Sequence, residues 1–231
     1  MIHIFYRHYS VSHREEWRPH WFDYEKCYDN LLRTIHNPNN VRINIVFDGD
    51  TDNFIRNKKF DNFFNINAGN DLDSFNQTLK IVKDLSESFD LNDIIYFLEN
   101  DYLHMNGWDL IVQDFFSSRF KSNYLTLYDH YDKYHSQNLS EIIVTDKHHF
   151  RTTPSTCGSY LSNVETFLKD FTFHTSIFEF LKNKTSYPLD HAKFLTLQKI
   201  TTSKLFSPIP GLSTHCLNNL MSPTIDWGKL I

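Results

Sequence analysis

The chain has 231 residues and a formal net charge of −5, and it is 40% hydrophobic and 16% aromatic. Its 21 Phe, 12 Tyr and 4 Trp supply ample apolar material for a core, which excludes global disorder. The acidic balance argues against non-specific nucleic-acid binding, because such binding needs a basic surface. No apolar run approaches the roughly 18 residues of a membrane span, and the length suits a single α/β domain.

Cysteine usage and the N-terminal residues bear on location. The three cysteines, Cys27, Cys157 and Cys216, are widely spaced and form no CxxC pair. This pattern predicts neither a disulfide scaffold nor a cysteine-rich zinc site, and it favours a reducing compartment. The first ten residues lack the basic and then apolar order of a signal peptide. We therefore expect a cytoplasmic location.

Strand and helix signals alternate in the first half of the chain. Apolar or β-branched runs predict strands at 2–6, 41–47, 62–67 and 93–98. Apolar residues at helical spacing predict one helix that opens near Pro19 and ends near Ile35, and a second with Asp71 as its N-cap. The β-α-β-β-α-β order predicts an α/β fold with a mixed, mostly parallel sheet flanked by helices.

The second half is less regular. The predicted elements are strands at 124–128 and 157–161, a short helix at 164–171 and a helical segment at 191–200. Residues 207–224 are rich in Pro, Gly and turn residues, which predicts an ordered functional loop or a mobile lid. Because no repeat or flexible linker interrupts the chain, we expect one domain over 1–231.

Three polar clusters follow predicted strands, at 48–50, 68–70 and 99–101. In parallel α/β sheets, ligands bind beyond the carboxyl ends of the strands. These clusters are therefore expected to converge on one edge of the sheet.

The cluster after the most apolar strand contains two carboxylates, Glu99 and Asp101. Two acids at this spacing suit a hard divalent cation such as Mn²⁺ or Mg²⁺, which prefers carboxylate and phosphate oxygens. A cation there would neutralise the diphosphate of a nucleotide and stabilise it as a leaving group. A solvated turn is the simpler interpretation of the same residues.

Residues 99–104, Glu-Asn-Asp-Tyr-Leu-His, resemble the acid-x-acid metal-binding motif of nucleotide-sugar-dependent glycosyltransferases with the GT-A fold. Three further stretches extend the resemblance: YLTLYDHYDKY at 124–134, TTPSTCGSYLS at 152–162 and IPGLSTHC at 209–216. Together they are similar to a group of bacterial and viral glycosyltransferase-like proteins that carry a DDYLH-type segment and a late PGLSTH segment. The resemblance runs from the first strand to about Trp227. It departs at Asn100, where an acid is frequent in such families.

The resemblance implies a GT-A-like fold and a metal site, with a nucleotide-binding half to about residue 104 and an acceptor half from about residue 105 to 231. By position, Asp101 would bind the metal directly and His215 would be a late ligand to the metal or the diphosphate. Glu99 would contact the donor sugar or ribose, or hold a metal-bound water, with Asn100 beside it at the donor. Because Asn carries no charge, the metal site depends on Glu99 and Asp101. The expected cofactor is Mn²⁺ or Mg²⁺.

Further residues are expected at the donor. The resemblance implies that Asp48 hydrogen-bonds the base or ribose, although Asp-Gly is also a strong turn signal; Asp50 is assigned to the turn. Asn70 and Ser74 lie where they could contact the ribose or base. Backbone N–H groups near Gly69 could approach the diphosphate, but the acids of the following turn oppose an anion, so a helix cap is the simpler interpretation.

Transfer with inversion needs one general base near the acceptor hydroxyl. Asp190, which follows Pro188 at a predicted helix start, is the candidate by resemblance, and an N-cap is its alternative role. Asp129 and His130 are the second choice. The implied partners are a nucleoside-diphosphate sugar and a glycan or glycolipid acceptor. Uridine diphosphate is favoured as the nucleotide because it is common in the family that the sequence resembles. Peripheral contact with a membrane is left open, and no nucleic-acid partner is expected.

Two other functions are open. A nucleotidyltransferase that makes the activated sugar would have a similar sheet, but it needs a Gly-rich basic loop after the first strand. Residues 7–10, Arg-His-Tyr-Ser, contain no Gly, so this function ranks second. A non-catalytic glycan- or nucleotide-binding module is the third.

Overall fold

The structure is a computed structural model, which describes residues 1–9, 15–49, 57–135, 139–181 and 189–231. The strands are β1 (Ile2–Tyr9), β2 (Val41–Asp48), β3 (Asn62–Ile66), β4 (Ile94–Glu99), β5 (Tyr102–His104), β6 (Tyr124–Leu125), β7 (Ile142–Val144), β8 (His149–Thr152), β9 (Tyr160–Asn163), β10 (Leu205–Ile209) and β11 (Ser213–His215). The helices are α1 (Tyr24–Thr34), α2 (Asp71–Ser86), α3 (Trp108–Ser117), α4 (Val164–Lys169), α5 (Phe171–Leu181) and α6 (Leu189–Ile200).

Nine strands form one sheet in the order β3-β2-β1-β4-β9-β6-β10-β8-β7, and β5 and β11 form a separate two-stranded sheet. In the large sheet, β8 and β9 run opposite to the other strands. The mixed, mostly parallel sheet and the single α/β domain predicted from the sequence are confirmed. The predicted β-α-β-β-α-β order is that of β1, α1, β2, β3, α2 and β4.

Helices cover both faces of this sheet because the central strands alternate their buried side chains. On β1, Ile4 packs in a core with Tyr28 of α1 and Trp108 of α3. Phe5, the next residue, packs in a second core with Leu79 of α2. Strands buried on both faces are typical of parallel sheets, and they read as continuous apolar runs.

Local capping sets where the helices begin. The first helix begins at Tyr24 rather than near Pro19, because Asp23 accepts a hydrogen bond from the backbone N–H of Lys26. The second has Asn70, not Asp71, as its N-cap, and the Asn70 side chain accepts from the N–H of Asp73. The prediction of Asp71 as N-cap was therefore wrong by one residue.

The second half differs more from expectation. The strand predicted at 124–128 is limited to β6, and that predicted at 157–161 lies at β9. The predicted loop at 207–224 is wrong for its first part, since β10 lies inside the large sheet and β11 pairs with β5. Ser207 and Ser213 are each 1% exposed, so the part of the segment that forms β10 and β11 is interior structure, whereas Asn218 and Asn219 are exposed. None of the helices in the described ranges has the length and apolar character needed to cross a membrane.

Candidate functional site

The carboxyl ends of β1, β2 and β4 bring polar side chains to one edge of the sheet. Arg7 of β1 lies opposite Glu99 of β4, and Tyr9 of β1 lies opposite Asp48 of β2. All four residues line a cavity of about 500 Å³. The parallel register therefore places the predicted strand-end residues on a common wall.

The two-stranded sheet carries His215 to the same place. β5 begins directly after Asp101, and in its pairing with β11 Tyr102 lies opposite His215. The Tyr102 and His215 rings stack with centroids 5.1 Å apart, and the N–H of Cys216 donates to the carbonyl of Asp101 at 2.9 Å. This pairing brings together Asp101 and His215, which are 114 positions apart in the chain.

Asp101 is 6% exposed and is shared by two cationic side chains. Its Oδ2 lies 2.8 Å from Arg18 Nη1 and 2.9 Å from His215 Nε2. Burial alone would raise the pKa of Asp101, but His215 and Arg18 outweigh it and hold that pKa well below its usual range. The other oxygen, Oδ1, is buried and has no hydrogen-bond partner among the described residues.

The charge of His215 follows from the same contact. Burial would lower the pKa of its imidazole, but the Asp101 carboxylate raises that pKa well above the usual value. The imidazole is therefore protonated at neutral pH as long as Asp101 is its only strong partner, and it must lose that proton to act as a metal ligand.

Gly158 packs directly against the carboxyl group of Glu99. A Cβ built on Gly158 would lie 2.2 Å from Glu99 Oε2, so only a residue without a side chain fits under this carboxyl. The next residue, Ser159, accepts the Glu99 N–H through its Oγ at 3.3 Å. The stretch at 152–162 therefore supports the acid pair and does not itself line the cavity.

The electrostatic setting of Glu99 differs from that of Asp101. Burial raises the pKa of Glu99 to about 7, and Asp71 and Asp101 add to the rise. Arg7, whose Nη1 lies 3.4 Å from Glu99 Oε1, opposes it. Glu99 is thus partly protonated at neutral pH, whereas Asp101 is fully ionised.

Three side chains offer ligand atoms for a cation. Glu99, Asp101 and His215 each provide one such atom, and these atoms lie within 4.8 Å of one another. Carboxylate oxygens suit Mg²⁺ and Mn²⁺, and an imidazole nitrogen is also a competent ligand. The buried Oδ1 of Asp101 is a polar atom that a cation would satisfy. The residues present therefore fit a divalent cation.

The predicted donor residues line the wall beyond this acid pair. Asp48 is 3% exposed, and its Oδ1 accepts from the N–H groups of Ala68 at 2.8 Å and Gly69 at 3.4 Å. Its carboxylate therefore fixes the turn before α2, a role that the sequence analysis did not foresee. Asn70 caps α2, and Ser74 is a buried residue of that helix. Asp48, Asn70 and Ser74 all line the cavity.

Asn100, the residue between the two acids, also lines the cavity. Its Nδ2 lies 3.1 Å from Nδ1 of His8, and its carbonyl accepts from the Tyr6 hydroxyl at 3.2 Å. Its side chain thus joins the end of β4 to the end of β1.

The predicted general base is the least defined part of the site. The side chain of Asp190 and the whole of Asp50 lie outside the described residues. Asp129, the second choice with His130, is 0% exposed; Arg151 pairs with its Oδ1 and the Tyr134 hydroxyl donates to its Oδ2 at 2.6 Å. Both carboxylate oxygens of Asp129 are therefore already engaged, and Asp129 does not line the cavity.

Two arginines in the cavity were missed by the sequence analysis. Arg7 could have been predicted as a site residue, because it is a charged residue near the end of a largely apolar strand. Arg18 carried none, because it lies in a polar segment that predicts only a loop. Both face the acids: Arg7 also pairs with Asp71, and Arg18 pairs with Asp101.

Neither a protein-family model nor a curated protein sequence matches the chain. Among solved structures, the galactosyltransferase LgtC with donor and acceptor sugar analogues is 14% identical with a TM-score of 0.48, covering 84% of this chain and 70% of that one. The 2-C-methyl-D-erythritol 4-phosphate cytidylyltransferase IspD of Francisella tularensis is 14% identical with a TM-score of 0.49, covering 99% and 96%. Mouse xyloside xylosyltransferase 1 is 11% identical with a TM-score of 0.44, covering 86% and 81%.

These likenesses concern the fold alone. They include glycosyltransferases and a cytidylyltransferase, so what this chain does has to be argued from its own side chains.

The close approach of Gly158 to Glu99 gives a first prediction. Gly158 has φ +59 and Gly107 has φ +74, but a Cβ at Gly107 meets nothing within 4 Å. Gly158→Ala and Gly107→Ala should share a backbone cost of roughly 1–2 kcal/mol, and only Gly158→Ala should lose more, because it displaces Glu99. Urea unfolding of both variants measures this difference. In a double-mutant cycle, Glu99→Ala should remove the extra loss; equal losses in the two alanine variants would contradict the contact.

The raised pKa of Glu99 gives a second prediction, for protein kept free of divalent cations with a chelator. The unfolded chain releases the Glu99 proton near pH 4.5 and the folded chain near pH 7, so wild-type stability falls between these values. Glu99→Gln removes that loss, and its melting temperature should exceed that of wild type by a few degrees at pH 8 and by less at pH 4.5. Glu87→Gln, at a side chain that is 77% exposed, is the control. A pH-independent difference would be inconsistent with this account.

Proposed function

We propose that this chain is a metal-dependent glycosyltransferase, which transfers a sugar from a nucleoside-diphosphate donor to a hydroxyl group of a glycan with inversion. We further propose that the donor is a uridine-diphosphate sugar. The observation that carries the proposal is the convergence of Glu99, Asp101 and His215 within 4.8 Å, at the wall of a cavity beyond the carboxyl ends of parallel strands.

In this proposal, Asp101, Glu99 and His215 hold Mn²⁺ or Mg²⁺. A bound cation supplies charge neutralisation for the diphosphate, which makes the nucleotide a better leaving group. The residues have distinct parts in this task. Asp101 is ionised over the whole physiological range and provides a permanent negative charge, whereas Glu99 and His215 must both lose a proton before they can bind a cation.

The donor would occupy the cavity beyond the acid pair. Its volume of about 500 Å³ falls within the roughly 300–1,000 Å³ of small-molecule sites. Asp48 and Ser74 would face the ribose or base, and Asn70 would do so from the start of α2. Because Asp48 Oδ1 is already engaged by backbone N–H groups, that carboxylate is fixed in place and needs no reordering when a ligand arrives.

The acceptor half supplies the general base in this proposal, and Asp190 is the candidate retained from the sequence. The contact between Ser155 and His191 supports its placement: Ser155 Oγ lies 2.6 Å from His191 Nδ1. This contact ties the start of α6 to the segment that passes Gly158 beneath Glu99. Asp190 adjoins His191 in the chain, and this link between α6 and the segment that packs against Glu99 is what supports the candidate.

A direct test uses calorimetry with uridine diphosphate and Mn²⁺, together with hydrolysis of uridine-diphosphate sugars. Wild type should bind the nucleotide at least tenfold more tightly with Mn²⁺ than with a chelator, and Asp101→Asn should lose this gain. Asp84→Asn, at an exposed position of α2, is the matched control and should behave as wild type. Failure of every nucleoside diphosphate to bind with either cation would sink the proposal.

The same assay separates the other functions. Pyrophosphate release from a nucleoside triphosphate and a sugar 1-phosphate would identify a nucleotidyltransferase. Metal-dependent nucleotide binding with no turnover on any sugar nucleotide, in wild type that is shown to be folded, would identify a binding module.

The pKa shifts at the site predict how cation binding depends on pH. Glu99, with its pKa raised to about 7, is neutral below that pH, and His215 is protonated because Asp101 raises its pKa. Both must release protons to bind a cation, so Mn²⁺ affinity should rise at least tenfold between pH 6 and 8. Electron paramagnetic resonance of free Mn²⁺ measures this. In Glu99→Gln the rise should be smaller, and a flat profile in wild type would contradict the assignment of these ligands.

A further inference from the structure

Arg18, a loop residue, contacts a carboxylate, a backbone carbonyl and two aromatic rings. Its Nη1 lies 2.8 Å from Asp101 Oδ2 and donates to the carbonyl of Cys216 at 3.0 Å. Its guanidinium lies over the rings of Phe22 and Tyr24, at 4.5 and 5.8 Å from their centroids. The side chain is 11% exposed, and it lines the same cavity as the acid pair. The loop therefore holds a guanidinium at the carboxylate that is central to the proposed metal site.

The pairing of Arg18 with Asp101 conflicts with cation binding. The Asp101 carboxylate is already paired with the Arg18 guanidinium and the His215 imidazole. A divalent cation on Asp101 would add two positive charges beside the guanidinium, and like charges at such separations repel strongly where solvent is scarce. Arg18 cannot relieve this repulsion by losing a proton, because a guanidinium stays charged at any ordinary pH. It therefore needs another anion.

The diphosphate of a donor bound in the cavity is the anion that would lie beside Arg18. A guanidinium presents a planar fork of N–H donors that matches phosphate oxygens in a bidentate manner. Arg18 already faces the cavity in which the nucleotide would lie. Its Nε is buried and makes no hydrogen bond within the part of the chain that the structure describes, so the present arrangement leaves one of its donors unused.

We propose that Arg18 exchanges partners during binding: it neutralises Asp101 when no cation is bound, and it binds the donor's diphosphate when a cation takes its place. This inference rests on the proposed function and adds a residue outside the predicted ligand set. It requires that cation and diphosphate bind cooperatively. A cation on Asp101 displaces Arg18, which the diphosphate can then bind, and a diphosphate that takes Arg18 leaves Asp101 open to the cation. By linkage, the cation strengthens diphosphate binding by the same factor as the diphosphate strengthens cation binding.

The test measures three affinities for each variant: Mn²⁺ alone by electron paramagnetic resonance, uridine diphosphate alone, and uridine diphosphate with saturating Mn²⁺ by calorimetry. In Arg18→Gln, Mn²⁺ alone should bind at least fivefold more tightly, because the competitor for Asp101 is gone. Uridine diphosphate with Mn²⁺ should bind at least tenfold more weakly, because its guanidinium partner is gone. These two shifts have opposite signs, which a merely structural role of Arg18 would not produce.

Two further variants and a second ligand complete the design. Arg18→Lys keeps the charge without the fork, so its affinity for Mn²⁺ alone should stay within twofold of wild type while diphosphate binding weakens severalfold. Arg42→Gln, at an arginine that is 44% exposed and does not line the cavity, is the control and should change neither affinity. Uridine, which has no diphosphate, should show no coupling to Mn²⁺ in wild type.

The outcomes separate the two levels of the proposal. If wild type binds uridine diphosphate with Mn²⁺, but Arg18→Gln shifts both affinities in the same direction or shifts neither, the exchange is wrong and the proposed function stands. If wild type binds neither ligand, both are wrong. Should Arg18→Gln fail to fold because the contact with Cys216 is lost, the Arg18→Lys result decides, and unchanged diphosphate binding there overturns the exchange.

Discussion

The buried carboxylate of Asp101 is the interaction on which the arrangement of this site depends. An ion removed from water costs several kcal/mol unless it is paired, and the partners here are Arg18 and His215. One comes from the loop before α1 and the other from the last strand of the chain. By pairing with Asp101 after the end of β4, Arg18 and His215 attach the loop before α1 and strand β11 to the edge of the sheet.

Much of the first half of the fold was predictable because its signals are local. Strands β1, β2 and β4 are runs of buried apolar residues, and α1 and α2 carry apolar residues at helical spacing. Once these elements are assigned as parallel, topology alone places Asp48 and Glu99 at one edge, since the carboxyl ends of parallel strands meet there. The convergence of the predicted donor residues on one cavity follows from this register, without any knowledge of loops.

The rest could not be read locally because it depends on pairing between distant segments. β11 has three residues and follows Pro210 and Gly211, which are signals for a loop. It becomes a strand only through its pairing with β5, about 110 residues earlier in the chain. Arg18 likewise belongs to a segment whose own composition predicts a loop. In both cases the decisive partner is the end of β4, and a residue window around either segment holds no information about it.

The departure at Asn100 from the acidic pattern of the resembling families has a physical reason in this environment. Glu99 already has its pKa raised to about 7 by burial and by the acids around it. A third carboxylate between Glu99 and Asp101 would add to that repulsion and further weaken the ionised form of Glu99. Asn100 instead uses its amide near His8 Nδ1, which fixes the turn without charge. The neutral residue thus preserves the pair of acids that the proposed cation requires.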